Sequence, residues 1–88
     1  MAVVYIPPLL RRLTNGAEKV EVGGRALRQV IDNLETAHPG LKEHLLVDGE
    51  INPAIAVAVD GDITRIGLLQ PVRETSEVHF LPAIAGGV

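Results

Sequence analysis

The sequence predicts a two-layer α+β domain: a mixed sheet of four to five strands with one main helix packed on one face. Three observations carry the prediction. Two short runs near the N-terminus, Ala2 to Ile6 and Glu18 to Val22, have the β-branched or alternating character of strands. Between Arg25 and Ala37 the apolar period changes to that of a helix. Beyond residue 54 three more runs read as strands. The order is β-β-α-β-β-β. An amphipathic helix between strand pairs has to bury its stripe on the sheet they form. The β-grasp arrangement satisfies this order with short connections.

Taken in order, AVVYI at Ala2 to Ile6 is a strand that Pro7-Pro8 ends. Thr14-Asn15-Gly16 is a turn signal. Glu18 to Val22 alternates, with Val20 and Val22 facing inward, so the first two strands form a hairpin with a loop of moderate length. Gly23-Gly24 breaks the second strand. Leu27, Val30, Ile31 and Leu34 then fall at i, i+3, i+4 and i+7 on one helical stripe. His38-Pro39-Gly40 stops the helix, and Leu41 to Leu46 supplies one further short turn. AIAVAV at Ala54 to Val59 is a strand, Asp60-Gly61 a hairpin turn, and Asp62 to Ile66 a short returning strand. Gly67 to Thr75 reads as a loop. Glu77 to Leu81 alternates again, with Val78 and Phe80 inward and His79 and Leu81 on the opposite face. Pro82 ends that strand. The reading divides the chain into a domain at 1–82 and a flexible tail at 83–88.

The 88 residues fit one domain, which buries roughly two-thirds of its unfolded surface and has little room for a catalytic cavity. Hydrophobic residues make up 47% and aromatics 2%, so the core is aliphatic. There is no cysteine, which excludes disulfides, thiolate chemistry and iron–sulfur ligation in this chain. The net charge is −3 with no basic block, which argues against nucleic acid and anionic membrane as partners. The apolar start lacks a charged n-region and is interrupted by Pro7-Pro8. It reads as neither a signal peptide nor a membrane span, and a cytoplasmic location is expected.

Catalytic residue types are poorly placed. His38, His44 and His79 belong to no metal-ligand motif and read as surface residues. Ser76 has no evident partner base. A hairpin explains Asp60 and Asp62 better than a metal site does. Gly23-Gly24 lacks the rest of a phosphate-binding fingerprint. No catalytic residue, metal or bound cofactor is expected. What remains is EVHFLPAIAGG, Glu77 to Gly87, followed by Val88: a strand, a proline, and a short stretch through Ile84 and Ala85 to Gly86-Gly87.

That ending resembles the C-terminal signature of the MoaD/ThiS family, the molybdopterin-synthase small subunit and thiamine-biosynthesis sulfur carriers. The similarity extends to IPPLLRRLTNG after the first strand, to ALRQVIDNLETAHPGLKEHL, and to INPAIAVAVDGDI. Length and the LPAIAGG tail are most similar to the actinobacterial branch serving cysteine synthesis. The resemblance implies a ubiquitin-like β-grasp fold and a carrier rather than an enzyme. Its reactive group would be the carboxylate of Gly87, with Gly86, Ala85 and Ile84 as the tail that presents it. A carboxylate is a poor electrophile. An E1-like adenylyltransferase of the MoeB/ThiF type would therefore use ATP to activate it, and a sulfurtransferase would convert it to a thiocarboxylate. A sulfur-accepting synthase would then receive the sulfur in cysteine, molybdopterin or thiamine biosynthesis. Glycine has no Cβ, so a diglycine threads a narrow channel. His79 and Leu81 would face the activating enzyme.

Val88 departs from the family pattern, because it locks the Gly87 carbonyl in a peptide bond. Some relatives carry extra residues that a zinc metalloprotease trims, and the resemblance implies the same for Val88. Three other roles fit the same tail and fold. One is a ubiquitin-like modifier conjugated through Gly87. Another is the non-catalytic small subunit of a molybdopterin-synthase-like enzyme. The last is a plain β-grasp interaction domain with no tail chemistry.

Overall fold

The computed structural model describes residues 1–83. Four longer strands build the sheet: β1 Ala2–Tyr5, β2 Lys19–Val22, β5 Ile55–Val59 and β7 Glu77–Pro82. The short β6, Asp62–Ile63, completes it in the order β2-β1-β7-β5-β6. β1 and β7 run parallel at the centre, and the other neighbours are antiparallel. Helix α1, Leu27–Ala37, covers one face. This is the mixed sheet with one main helix expected of a β-grasp fold.

Alternation along each strand sends one set of side chains to the helix. Val4, Val22, Val57, Val78 and Phe80 are buried there. The α1 stripe of Leu27, Val30, Ile31 and Leu34 is buried against them. Val20, expected inside, and Ile55 pack against this cluster but are only half-buried, because β2 and the start of β5 lie toward the sheet margins. Gly24 sits under α1 at φ +141°, where an added Cβ would come 2.9 Å from both the Val30 side chain and its backbone nitrogen. The strand-to-helix passage therefore needs glycine there.

Several local expectations are corrected. The hairpin loop is a 3-10 turn over Pro8–Thr14, closed by Asn15 in the left-handed region at φ 53°. The further turn after α1 is a short helix α2, Lys42–Leu45, anchored by buried Leu41 and Leu45. Its start is held by the Glu35 carboxylate, which accepts the Lys42 N–H at 2.8 Å and the Gly40 N–H at 3.1 Å. A two-stranded ribbon, β3 Leu46–Val47 with β4 Glu50–Ile51, was not expected. The strand after Asp60-Gly61 ends at Ile63 rather than Ile66. The loop from Gly67 contains a 3-10 turn, Gly67–Leu69, and contributes Leu68 and Val72 to the core.

Ser76 does have a partner. It is 1% exposed, and its hydroxyl donates to the Asp60 carboxylate at 2.7 Å. Asp60 also accepts the Glu77 N–H at 2.9 Å and lies 3.4 Å from the Arg73 guanidinium. Three donors on an acceptor clamp the β5–β6 turn to the start of β7. The Glu77 N–H first, then the Ser76 hydroxyl and Arg73, hold the Asp60 carboxyl below the usual carboxylate range. Glu35 is held low in the same direction, first by the Lys42 N–H and then by that of Gly40. A carboxylate with a depressed native pKa stabilises the fold above its unfolded value, and loses that contribution as pH falls through the native one. Melting temperature should therefore be level near neutrality and drop below about pH 4. Asp60→Asn keeps a residue tolerant of the left-handed backbone at φ 53°. It should melt lower at pH 7, with the gap closing as the pH falls. Parallel melting curves at all pH values would show that the clamp contributes nothing.

Candidate functional site

The expected reactive segment, Ile84, Ala85, Gly86, Gly87 and Val88, lies outside the described residues. The structure does define its root. β7 is a central strand, paired with β1 on one side and β5 on the other. The expectation that Pro82 ends this strand and frees the chain is corrected. Pro82 pairs with Ile55, and the Ala83 N–H donates to the Ala54 carbonyl at 3.0 Å. Alternation explains why a proline is tolerated. Since the Ala83 N–H points to β5, the missing N–H of Pro82 falls on the β1 side, where pairing has already stopped at His79. The tail root is thus fixed to β5 up to Ala83.

The face of the sheet away from α1 carries both predicted partner-binding residues. Register places Ile63, Ala58, His79, Tyr5 and Lys19 in one row across five strands. Leu81 stands beside Ala56 in the next row toward the tail. Leu81 is 41% exposed and Ile63 50%, while Ala56 and Ala58 between them are small. His79 is half-buried rather than openly solvated, because its ring stacks on Tyr5 with centroids 4.1 Å apart and planes 9° from parallel. Lys19 Nζ lies 5.8 Å from the Tyr5 centroid, and Glu77 lies 3.6 Å from His79 Nε2. The face therefore grades from apolar at β6 and the end of β7 to charged at β2. Tyr5, Ala56, Ala58 and Ile63 were not singled out from the sequence. The alternation was visible, but which residues share a row depends on register.

Neither of the other histidines joins this face. His38 caps α1, its N–H donating to Leu34 O at 2.8 Å, and His44 lies in α2; both are half-buried rather than fully solvated. Among the described residues no group of three His, Asp or Glu side chains could hold a metal ion, and no helix is long and apolar enough to cross a membrane.

A five-stranded mixed sheet, one covering helix and a central last strand leading to a diglycine define a ubiquitin-like β-grasp protein. The chain belongs to the ThiS family, whose profile matches residues 4–87. Membership of that family supports a role as a small sulfur-carrier or ubiquitin-like protein. Solved structures agree. A chain of the BexX/CysO complex of Amycolatopsis orientalis is 34% identical with a TM-score of 0.91, covering 99% of this chain and 100% of that one. CysO of Mycobacterium tuberculosis, described as an antigen, is 29% identical with a TM-score of 0.89, covering 96% and 100%. Small archaeal modifier protein 1 of Haloferax volcanii shares the fold, with 24% identity and a TM-score of 0.72 over 98% of each chain. No curated protein sequence matches the chain.

Proposed function

We propose that this protein is a cytoplasmic sulfur carrier that works as a thiocarboxylate on Gly87, after removal of Val88. One observation carries the reading: the family match continues past the central strand β7 through the diglycine and ends at Gly87, one residue short of Val88.

The chemistry follows from the weak electrophilicity of a carboxylate. Once Val88 is hydrolysed off by a peptidase of the zinc metalloprotease kind, a Gly87 oxygen attacks the α-phosphorus of ATP on an E1-like adenylyltransferase. Pyrophosphate leaves. The terminal sulfur of a sulfurtransferase persulfide attacks the acyl carbon, and AMP leaves with the electron pair of the broken C–O bond. A second thiol of the partner then attacks the persulfide's inner sulfur, releasing the thiocarboxylate and leaving a partner disulfide. ATP stays with the activating enzyme, and no cofactor is held by this chain. The CysO relatives favour a sulfur-accepting synthase of cysteine biosynthesis, with molybdopterin and thiamine synthesis as the other acceptors.

The exposed apolar end of the sheet face, centred on Leu81 with His79 beside it, is the surface for the activating enzyme. Leu81→Asp should leave the circular dichroism spectrum and melting temperature intact. It should weaken binding to the cognate activating enzyme by about tenfold or more, the range of an interface anchor. Unchanged affinity by titration calorimetry would remove this face from the interface.

A further inference from the structure

Beside the tail root an apolar groove of about 300 Å³ lies between two walls. Pro7 with Leu9 and Leu10 of the 3-10 turn form one wall, and Phe80, Leu81 and Pro82 of β7 the other. Leu9 is 87% exposed, the most exposed large hydrophobic side chain among the described residues. One exposed leucine explains nothing by itself. Its setting does. Pro7 and Pro8 fix the backbone angles of the turn, so the wall is formed before anything binds. Arg12 donates to the Leu9 carbonyl at 3.4 Å and has no carboxylate partner among the described residues, so an unmatched cation flanks the groove.

Distance then decides what meets this groove. The Ala83 N–H is bonded to the Ala54 carbonyl on the groove's rim. Gly87 is four residues further on, a reach of about 14 Å at full extension. An enzyme holding Gly87 in a buried site uses that length as the depth of its channel. The channel mouth is therefore drawn down onto the surface ringing the tail root, and the groove is the apolar part of that ring.

We propose that this groove is a docking notch for the adenylating enzyme that takes the tail. Apolar side chains at the channel mouth occupy it, and a neighbouring carboxylate of the enzyme pairs with Arg12. This rests on the carrier reading and adds a second contact around the corner of the sheet from His79.

The test is steady-state AMP formation by the cognate activating enzyme on chains ending at Gly87. Leu9→Asp should raise KM for the carrier about tenfold or more and leave kcat unchanged, because docking precedes chemistry. Arg12→Glu should raise KM by a factor that shrinks as salt is added. Leu69→Asp, also well exposed at 72% but away from the groove, should behave as the parent. A parent-like KM for Leu9→Asp, with the parent active, overturns the notch alone. An inert parent defeats the carrier reading and the notch with it. A concentration-dependent dimer of the parent that Leu9→Asp abolishes would assign the groove to a second copy and overturn the proposal.

Discussion

A chain ending at Gly87 will be adenylated, and the chain carrying Val88 will not. Adenylation needs a free carboxylate, and with Val88 in place the Gly87 carbonyl is an amide. The carboxylate of Val88 itself is a poor substitute, because its β-branched side chain would have to pass where a diglycine passes without one. A chain ending at Gly86 should also be inert, since the reacting carbon is then one residue short. The effect on pyrophosphate release should be all or none. Folding should be indifferent to these changes: the core cluster runs from Ala2 to Phe80, and all three forms should melt together. Equal pyrophosphate release from the full-length and Gly87-ending chains would end the idea that Val88 marks a precursor.

The second large effect is on stability. Leu34 is 0% exposed and stands in the stripe by which α1 meets the sheet. Leu34→Ala should cost about 2–5 kcal/mol, lost transfer energy plus the cavity left behind. Small domains hold only about 5–15 kcal/mol in all, so the variant should unfold at much lower urea. A loss below about 0.5 kcal/mol, the level of ordinary surface changes, would reject this face as the buried one.

The elements that were legible in the sequence are those whose signal is local and long enough to repeat. Leu27, Val30, Ile31 and Leu34 carry a helical period, and all four are buried. The alternation around Val78 and Phe80 fixed which face of β7 points inward. Where a segment has only one or two apolar anchors there is no period to read. Leu45 and Leu68 are buried because α1 packs on α2 and, with β4, on the 3-10 turn at Gly67–Leu69, a tertiary decision. Asp48-Gly49 makes the same left-handed pair as Asp60-Gly61, at φ 53° and 80° against 53° and 89°. Its flanking strands are only two residues long, too short to show an alternation beside the turn signal.

The candidate site divides the same way. The diglycine, His79 and Leu81 could be named from motif and alternation. Tyr5 stacked on His79, Ala56 beside Leu81, and Ser76 held by Asp60 sixteen residues away depend on strand register. Pro82 misled because a proline blocks pairing only on the side its nitrogen faces, and at that point β1 has already left β7.

The central claim is that Gly87 carries sulfur. Intact mass spectrometry tests it most directly, on the Gly87-ending chain incubated with ATP, a sulfur source, a sulfurtransferase and the cognate activating enzyme. The account predicts the exchange of one oxygen for sulfur, located by fragmentation at the Gly87 carboxyl and absent when ATP is withheld. A chain that keeps its original mass with an activating enzyme known to be competent would contradict the account, as would one found only in amide linkage to lysine.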